Sequence, residues 1–222
     1  MAEIDVRGDI VLNDDKWIYD WLEWDATSPR DIRNALDSKP AGEELVVRIN
    51  SGGGSVMAAQ EIYSILSDRD DVKIKIESLA GSAASVIAMS NKSEISPVAM
   101  IMIHNVSMYG ASGDYRDMKH NAEILKQMNS ALAAAYVAKT GKDEETILKM
   151  MDTETWLTAN QAVQMGFADA IMRDEAPQLT NNIQGLRLTD EIRARVMQEK
   201  AEADAVENEI RELIEDLDMY GV

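Results

Sequence analysis

The sequence contains no cysteine. The chain therefore has no disulfide framework, no thiol nucleophile and no cysteine-based metal site, which fits a reducing compartment. Its first residues, Met1 to Asp5, lack the basic region and the apolar core of a signal peptide, and no apolar run approaches the roughly 18 residues that cross a membrane. We therefore expect a cytoplasmic protein with no membrane partner, whose 222 residues form one domain with an appendage.

Basic residues are also scarce. Lys and Arg number 22 against 40 Asp and Glu, which gives a formal net charge of -18. Neutralising the phosphates of nucleic acid requires clustered basic side chains. The composition therefore argues against nucleic acid as a partner.

Part of the negative charge lies in residues 189–222, which carry eleven acidic and four basic side chains. Apolar residues recur there at spacings of four, three and four, at Val206, Ile210, Leu213 and Leu217. This spacing predicts an amphipathic helix with an acidic outer face, capped by Thr189 and preceded by a linker over residues 176–188. The helix either packs on its own domain or docks a partner or a second subunit.

Strand-like and helix-like segments alternate before this tail. The predicted strands cover residues 4–12, 45–50, 72–78 and 98–104, and the predicted helices cover 28–37, 56–67, 85–91, 114–140 and 158–165. Alternation of this kind implies parallel strands joined by helices, so we predict an α/β fold.

The chain has only two histidines, which shortens the search for a catalytic base. His104 ends the apolar run 98–103, which is typical of a buried strand, and strand ends are where folds present catalytic groups. His120 lies off the apolar stripe of a long predicted helix, so we expect it to face solvent. The alternative for His104 is a core histidine bonded to a backbone carbonyl.

A serine stands at the start of a predicted helix. The small residues 81–84 lead from a predicted strand to Ser85 and the apolar run 86–89. A serine hydroxyl at a helix N-terminus lies beside unpaired N–H groups and the positive end of the helix dipole, which stabilise an oxyanion. Ser85 together with His104 therefore predicts a hydrolase.

Three successive glycines, Gly52 to Gly54, follow the second predicted strand. Such glycines let the backbone approach a ligand closely. No Lys-Ser or Lys-Thr pair follows, so the segment is not a Walker phosphate loop, and Met57 breaks the Gly-x-Gly-x-x-Gly dinucleotide pattern. We interpret it as a backbone-donor site in which the amide of Gly53 joins the amide that follows Ser85.

These segments resemble the ClpP-type serine peptidases, a family with the crotonase-like fold. The family's motifs are similar, in order and with compatible spacing, to Asn50-Ser51-Gly52-Gly53-Gly54, Ala83-Ala84-Ser85, Met102-Ile103-His104, Trp156-Leu157-Thr158-Ala159, Gln161-Ala162-Val163 and Gly166-Phe167-Ala168-Asp169. The resemblance implies an α/β fold of repeated ββα units with a long handle helix, in a peptidase domain over residues 1–175, to which a C-terminal amphipathic helix is added.

The resemblance also implies a serine peptidase site. Ser85 becomes the nucleophile, His104 the general base that takes its proton, and the amides of Gly53 and Val86 the oxyanion hole. Neither a cofactor nor a metal is implied.

The acid of the implied triad is one of two carboxylates. Counting back from Trp156 gives Glu154 as the counterpart of the family's aspartate, and Asp152 is its rival two residues earlier. Glutamate occurs as the acid in triads of this kind.

Within the family, the chain most resembles the head maturation proteases of phages and prophages. This resemblance rests on three features: the short N-terminus, the compact spacing between Ser85 and His104, and the added helix. It implies ATP-independent cleavage of scaffold and capsid proteins by a homo-oligomer of one ring or two stacked rings, in the cytoplasm or inside the prohead. The short N-terminus leaves no room for axial loops, which argues against an unfoldase ATPase as partner.

Two other functions are open. One is a cellular ClpP-like degradative peptidase that works with an unfoldase. The other is an inactive crotonase-fold assembly protein or acyl-CoA-binding protein, against which the Ser85 and His104 pair and the lack of a basic patch for CoA phosphates both argue.

Overall fold

The computed structural model describes residues 2–67, 69–172, 193–201 and 204. Strands and helices alternate along residues 2–172. The strands are β1 (Ala2–Ile10), β2 (Ala26–Thr27), β3 (Leu45–Gly54), β4 (Val72–Gly81), β5 (Ser93–Ile95), β6 (Met100–Ile103), β7 (Thr155–Thr158) and β8 (Ala170–Ile171). The helices are α1 (Lys16–Trp21), α2 (Pro29–Ser38), α3 (Val56–Leu66), α4 (Ala83–Ala88), α5 (Tyr115–Thr140), α6 (Glu144–Asp152) and α7 (Ala159–Gln164).

The strands form one sheet in the order β2-β1-β3-β4-β5-β8. β5 pairs with the first half of β4, and β6 pairs with its last residues, with Gly81 opposite Met102. These pairs are all parallel, whereas β7 runs antiparallel to β6. Because parallel strands point the same way, β1, β3, β4 and β6 end at one edge of the sheet.

The core follows from the alternation of side chains along the central strands. Leu45, Val47 and Ile49 of β3 and Ile74 and Ile76 of β4 are fully buried, and each such side chain contributes about 1.5–3 kcal/mol of transfer free energy. Every residue of α4 is buried as well. The start of α4 is therefore held by packing on all sides.

Local signals place the helix ends. Ser28 and Asp31 form a capping box at the start of α2, with Pro29 at its first position. The Ser55 side chain accepts the amide of Ala58 and begins α3. Helix α5 ends at Gly141, which has φ +69.

The predicted α/β alternation is confirmed, and His120 is exposed as expected. Three boundaries differ from the prediction and matter for function. Strand β4 continues to Gly81 rather than ending at residue 78. Strand β3 continues to Gly54, so the glycine segment is the end of a strand. Helix α4 begins at Ala83, which places Ser85 inside its first turn.

Contacts between Cα atoms group the chain into two compact units, Met1–Gly185 and Leu186–Val222. In the second, residues 193–201 are helical. The predicted linker 176–188, the cap Thr189 and the apolar positions Val206, Ile210, Leu213 and Leu217 lie outside the described residues. Within the described ranges, no helix has both the length and the hydrophobicity needed to cross a bilayer.

Candidate active site

Ser82 lies at the corner between β4 and α4. Its backbone has φ +50 and ψ -122, a conformation that costs a residue with a side chain about 1–3 kcal/mol. The amide of Ser82 donates to the carbonyl of Met102 at 2.8 Å, which ties the corner to β6. A serine on a sharp strand-to-helix turn presents its hydroxyl at the edge of the sheet, as nucleophiles do in hydrolases.

His104 follows β6 and faces this serine. Ser82 Oγ and His104 Nε2 are 2.6 Å apart, and both residues are half-buried. The distance is that of a nucleophile hydrogen-bonded to its general base. The pairing of β4 with β6 brings the two residues together, since Gly81 and Met102 lie directly opposite each other.

Ser85 is not hydrogen-bonded to His104, which contradicts the predicted pair of these two residues. Ser85 is 0% exposed. Its hydroxyl donates to the carbonyl of Ser82 at 2.6 Å and lies 2.8 Å from Tyr136 Oη. Because α4 starts at Ala83, the serine three residues after the corner faces the interior and cannot meet a substrate.

The backbone amide that follows the serine is also a different one once Ser82 takes the place of Ser85. Val86 is buried within α4, and its amide follows Ser85 rather than the serine that faces His104. The amide that follows Ser82 belongs to Ala83, the first residue of the helix, whose N–H has no acceptor inside the helix. Ala83 therefore takes the place predicted for Val86.

The glycine segment, predicted to join the amide that follows Ser85, lies instead against the corner at Ser82. A Cβ atom at Gly53 would come within 2.7 Å of Ser82 Cβ and 3.0 Å of Ala83 N. The amide of Gly53 itself donates to Ser51 Oγ at 3.1 Å. The backbone of β3 therefore reaches the serine, although the Gly53 N–H already has an acceptor.

Gly54, the last residue of β3, also requires glycine. It lies opposite Ile10 of β1 with φ +146, and a Cβ atom there would come within 2.3 Å of the Ile10 carbonyl oxygen. The end of β3 therefore fits between β1 and the Ser82 corner only as two successive glycines.

Glu154 lies just beyond the pairing of β6 with β7. Ile103 is opposite Thr155, so His104, which follows Ile103, and Glu154, which precedes Thr155, lie at the same end of this pairing. Glu154 has φ +47, and its carboxylate accepts the Trp156 Nε1–H at 3.1 Å.

Asp152, the last residue of α6, accepts a hydrogen bond from Asn105 Nδ2 at 2.8 Å. Among the residues that the structure describes, neither Asp152 nor Glu154 is hydrogen-bonded to His104. The structure brings both predicted carboxylates to the neighbourhood of the histidine and completes a triad with neither.

The chemistry available at this corner is acyl transfer through Ser82. In the described part of the chain, no group of three or more His, Cys, Asp or Glu residues is arranged to hold a metal ion. The site roles of Ser82, Ala83 and Tyr136 were not predicted from the sequence.

The signal that identifies Ser82 is its place directly after the last residue of a strand, where the chain turns sharply.

Comparison with known proteins gives one family. Residues 32–175 match the model of the family described as Clp protease. ATP-dependent Clp protease proteolytic subunit 1 of Chlamydia trachomatis serovar D is 32% identical over 142 residues, which are 62% of this chain and 74% of that one. ATP-dependent Clp protease proteolytic subunit 2 of Tropheryma whipplei is 33% identical over 145 residues, 63% of this chain and 78% of the relative.

A solved structure has the same fold. A point mutant of ClpP1 from Listeria monocytogenes superimposes with a TM-score of 0.63 at 19% identity. The match covers 78% of this chain and 92% of that one.

Proposed function

This chain belongs to the Clp protease family and is a serine endopeptidase, and we propose that Ser82 is its nucleophile and His104 its general base. One observation carries the assignment: the 2.6 Å contact between Ser82 Oγ and His104 Nε2. Ser85, the serine expected from the sequence, is buried and bonded elsewhere.

In the first step, Ser82 Oγ attacks the carbonyl carbon of the scissile peptide while His104 Nε2 takes its proton. The negative charge that develops on the carbonyl oxygen meets the amide of Ala83 and the adjoining backbone of Gly53 and Gly54. His104 then gives the proton to the leaving amine, which breaks the peptide bond and leaves an ester on Ser82. Water, deprotonated by His104, hydrolyses the ester and restores the serine.

We propose Glu154 as the group that orients the imidazole. It directly precedes β7, and His104 directly follows β6, the strand with which β7 pairs, whereas Asp152 is the last residue of α6 and accepts from Asn105. Glu154 now accepts from the Trp156 indole N–H. If the His104 Nδ1–H took over as the donor to Glu154, the triad would be complete. A triad acid holds the histidine tautomer and stabilises the imidazolium.

The experiment that tests the nucleophile is labelling with a fluorophosphonate probe, followed by mapping of the labelled peptide. Ser82→Ala, which keeps the Cβ atom, should abolish both labelling and peptide cleavage. The control is Ser90→Ala, because Ser90 lies near Ser82 in sequence and its buried hydroxyl has no partner in the described structure. Label on any other serine, or label retained by Ser82→Ala, would contradict the assignment.

For the biological role, we propose ATP-independent processing of scaffold and capsid proteins in phage or prophage head maturation, carried out by a homo-oligomeric ring. The acidic tail supports this role, because residues 189–222 lie beyond the family match that ends at residue 175. The second candidate is degradation with an unfoldase partner, which the names of the bacterial relatives favour.

A purified unfoldase separates the two roles. In the head maturation role, the protein cleaves an unstructured protein without ATP, and a Clp unfoldase with ATP does not speed the degradation of a folded, tagged substrate. Acceleration of that degradation would favour the second candidate. Light scattering on the same sample gives the number of subunits.

A further inference from the structure

The carbonyl of Ser82 accepts two hydrogen bonds from a single residue. Ser85 donates its amide at 3.0 Å and its hydroxyl at 2.6 Å. Because Ser82 has a strained backbone with φ +50, it keeps that conformation only if its surroundings hold it there. The contacts made by Ser85 are therefore part of what fixes the nucleophile.

The number of protons sets the direction of the next hydrogen bond. A serine hydroxyl has one proton, and a backbone carbonyl can only accept. Since Ser85 gives its proton to Ser82, the 2.8 Å contact between Ser85 Oγ and Tyr136 Oη requires Tyr136 to be the donor. The hydrogen bonds run from Tyr136 through Ser85 to the Ser82 carbonyl.

Tyr136 is a fixed donor. It is 1% exposed, and its ring centroid lies 6.0 Å from that of Phe167. Burial raises the pKa of the Tyr136 hydroxyl, so the group stays protonated over the working range of a peptidase. Buried polar groups that are all satisfied are rigid, which suits a supporting role.

We propose that Ser85 and Tyr136, here called the hydroxyl pair, are positioning residues that hold the Ser82 carbonyl and so aim the Ser82 hydroxyl at His104. The inference rests on the proposed role of Ser82 as nucleophile. The hydroxyl pair is buried and touches no substrate. Through it, the buried half of α5 supports the backbone of the reacting serine.

The test compares Ser85→Ala, Tyr136→Phe and the double variant with the parent. Ser85→Ala should lower kcat and the fluorophosphonate labelling rate roughly 10- to 100-fold with KM unchanged, because small misplacements of a reacting group are costly. Tyr136→Phe should lower both by less, since Ser85 still donates to Ser82. The double variant should be as slow as Ser85→Ala.

Thermal stability distinguishes positioning from a merely structural role. Ser85→Ala leaves the Tyr136 hydroxyl buried without its partner, which should lower Tm by roughly 5 °C. The double variant removes both hydroxyls and should recover most of that Tm, because two apolar groups leave nothing unsatisfied. If kcat recovered together with Tm, the hydroxyl pair would have no positioning role.

The residue that carries the fluorophosphonate label shows whether the proposed nucleophile or only the proposed positioning role is wrong. Label on Ser85 in the parent protein would overturn the proposed nucleophile and this inference with it. Label on Ser82, with a folded Ser85→Ala variant that turns over at the parental rate, would overturn the inference alone. The control Ser90→Ala should match the parent in kcat and labelling without lowering Tm, because it removes a buried hydroxyl that has no partner in the described structure.

Discussion

Adding a single methyl group at Gly53 should disable the site. The Cβ atom of Gly53→Ala would lie 2.7 Å from Ser82 Cβ, 2.9 Å from the Gly81 carbonyl oxygen and 3.0 Å from Ala83 N. Two of these atoms belong to the backbone and cannot swing away. The φ of Gly53, +112, is also one that residues with a side chain rarely adopt.

The expected cost has two parts. Backbone strain and overpacking each contribute about 1–3 kcal/mol, so the free energy of unfolding should fall by about 2–6 kcal/mol. Relief of the closest contact from 2.7 Å to an ordinary 3.4 Å moves Ser82 Cβ by about 0.7 Å. Displacements near 1 Å cost about 100-fold in rate, so kcat should fall by about that factor in the protein that remains folded.

Gly141→Ala is the matched control. Gly141 also has a positive φ, +69, but a Cβ atom there has nothing within 4 Å. It should lose only about 1–2 kcal/mol of stability from the left-handed backbone and keep its kcat. Urea unfolding gives the stability of both variants, and hydrolysis of a fluorogenic peptide, normalised by fluorophosphonate titration, gives kcat. A folded Gly53→Ala variant with parental kcat would refute the claim that this glycine lies at the reacting corner.

The remaining predictions concern acidic residues. Glu154→Gln should lower kcat by about 10³- to 10⁴-fold and Asp152→Asn only slightly, because only the former loses the carboxylate that orients His104; equal, small effects would mean that the site works as a dyad. Although partial burial of Asp169 acts the other way, the Lys139 ammonium lowers the pKa of the Asp169 carboxyl, so its stabilisation is present above the ordinary carboxyl pKa and is lost as pH falls through the lowered value. Asp169→Asn should therefore lower Tm more at pH 7 than at acidic pH; a Tm difference that stays the same as the pH falls would contradict this assignment.

The alternation of the main strands and helices could be read from the sequence, because the buried Ile74 and Ile76 alternate with half-buried lysines and because Ser28 and Pro29 mark a helix start. The shorter elements α1, β2, β5, α6, β7 and β8 were not predicted. His104 was also predictable as a strand-end residue. These features depend on local patterns, which a sequence shows directly.

The identity of the nucleophile could not be read in this way. Ser82 and Ser85 are three residues apart, and both follow small residues. The choice depends on whether β4 ends at residue 78, as its alternation suggests, or at Gly81, as in the structure. Pairing with β6, together with the pairing of Ala80 with Ser51 of β3, extends the strand by those residues. Both are contacts between distant segments, and element boundaries are the least certain part of a sequence-based prediction.

The same limit applies to the acid. Asp152 and Glu154 differ in which partner they accept from, Asn105 or Trp156, and such contacts depend on side-chain rotamers rather than on spacing. Tyr136 was predicted only as a residue of an apolar helix stripe. Its hydrogen bond to Ser85 crosses 51 residues of sequence, for which no local pattern exists.

The pairing of β4 with β6 has an evolutionary consequence. Nucleophile and base follow neighbouring strands whose register, Gly81 opposite Met102, sets the distance between them. After α4, the chain that joins these strands runs through Asn91, Lys92 and β5, none of which belongs to the site. Insertions and deletions in that connection should therefore accumulate in descendants of this enzyme without loss of activity. The number of residues between the serine and the histidine is then a record of lineage, and relatives are better recognised by strand register than by that count.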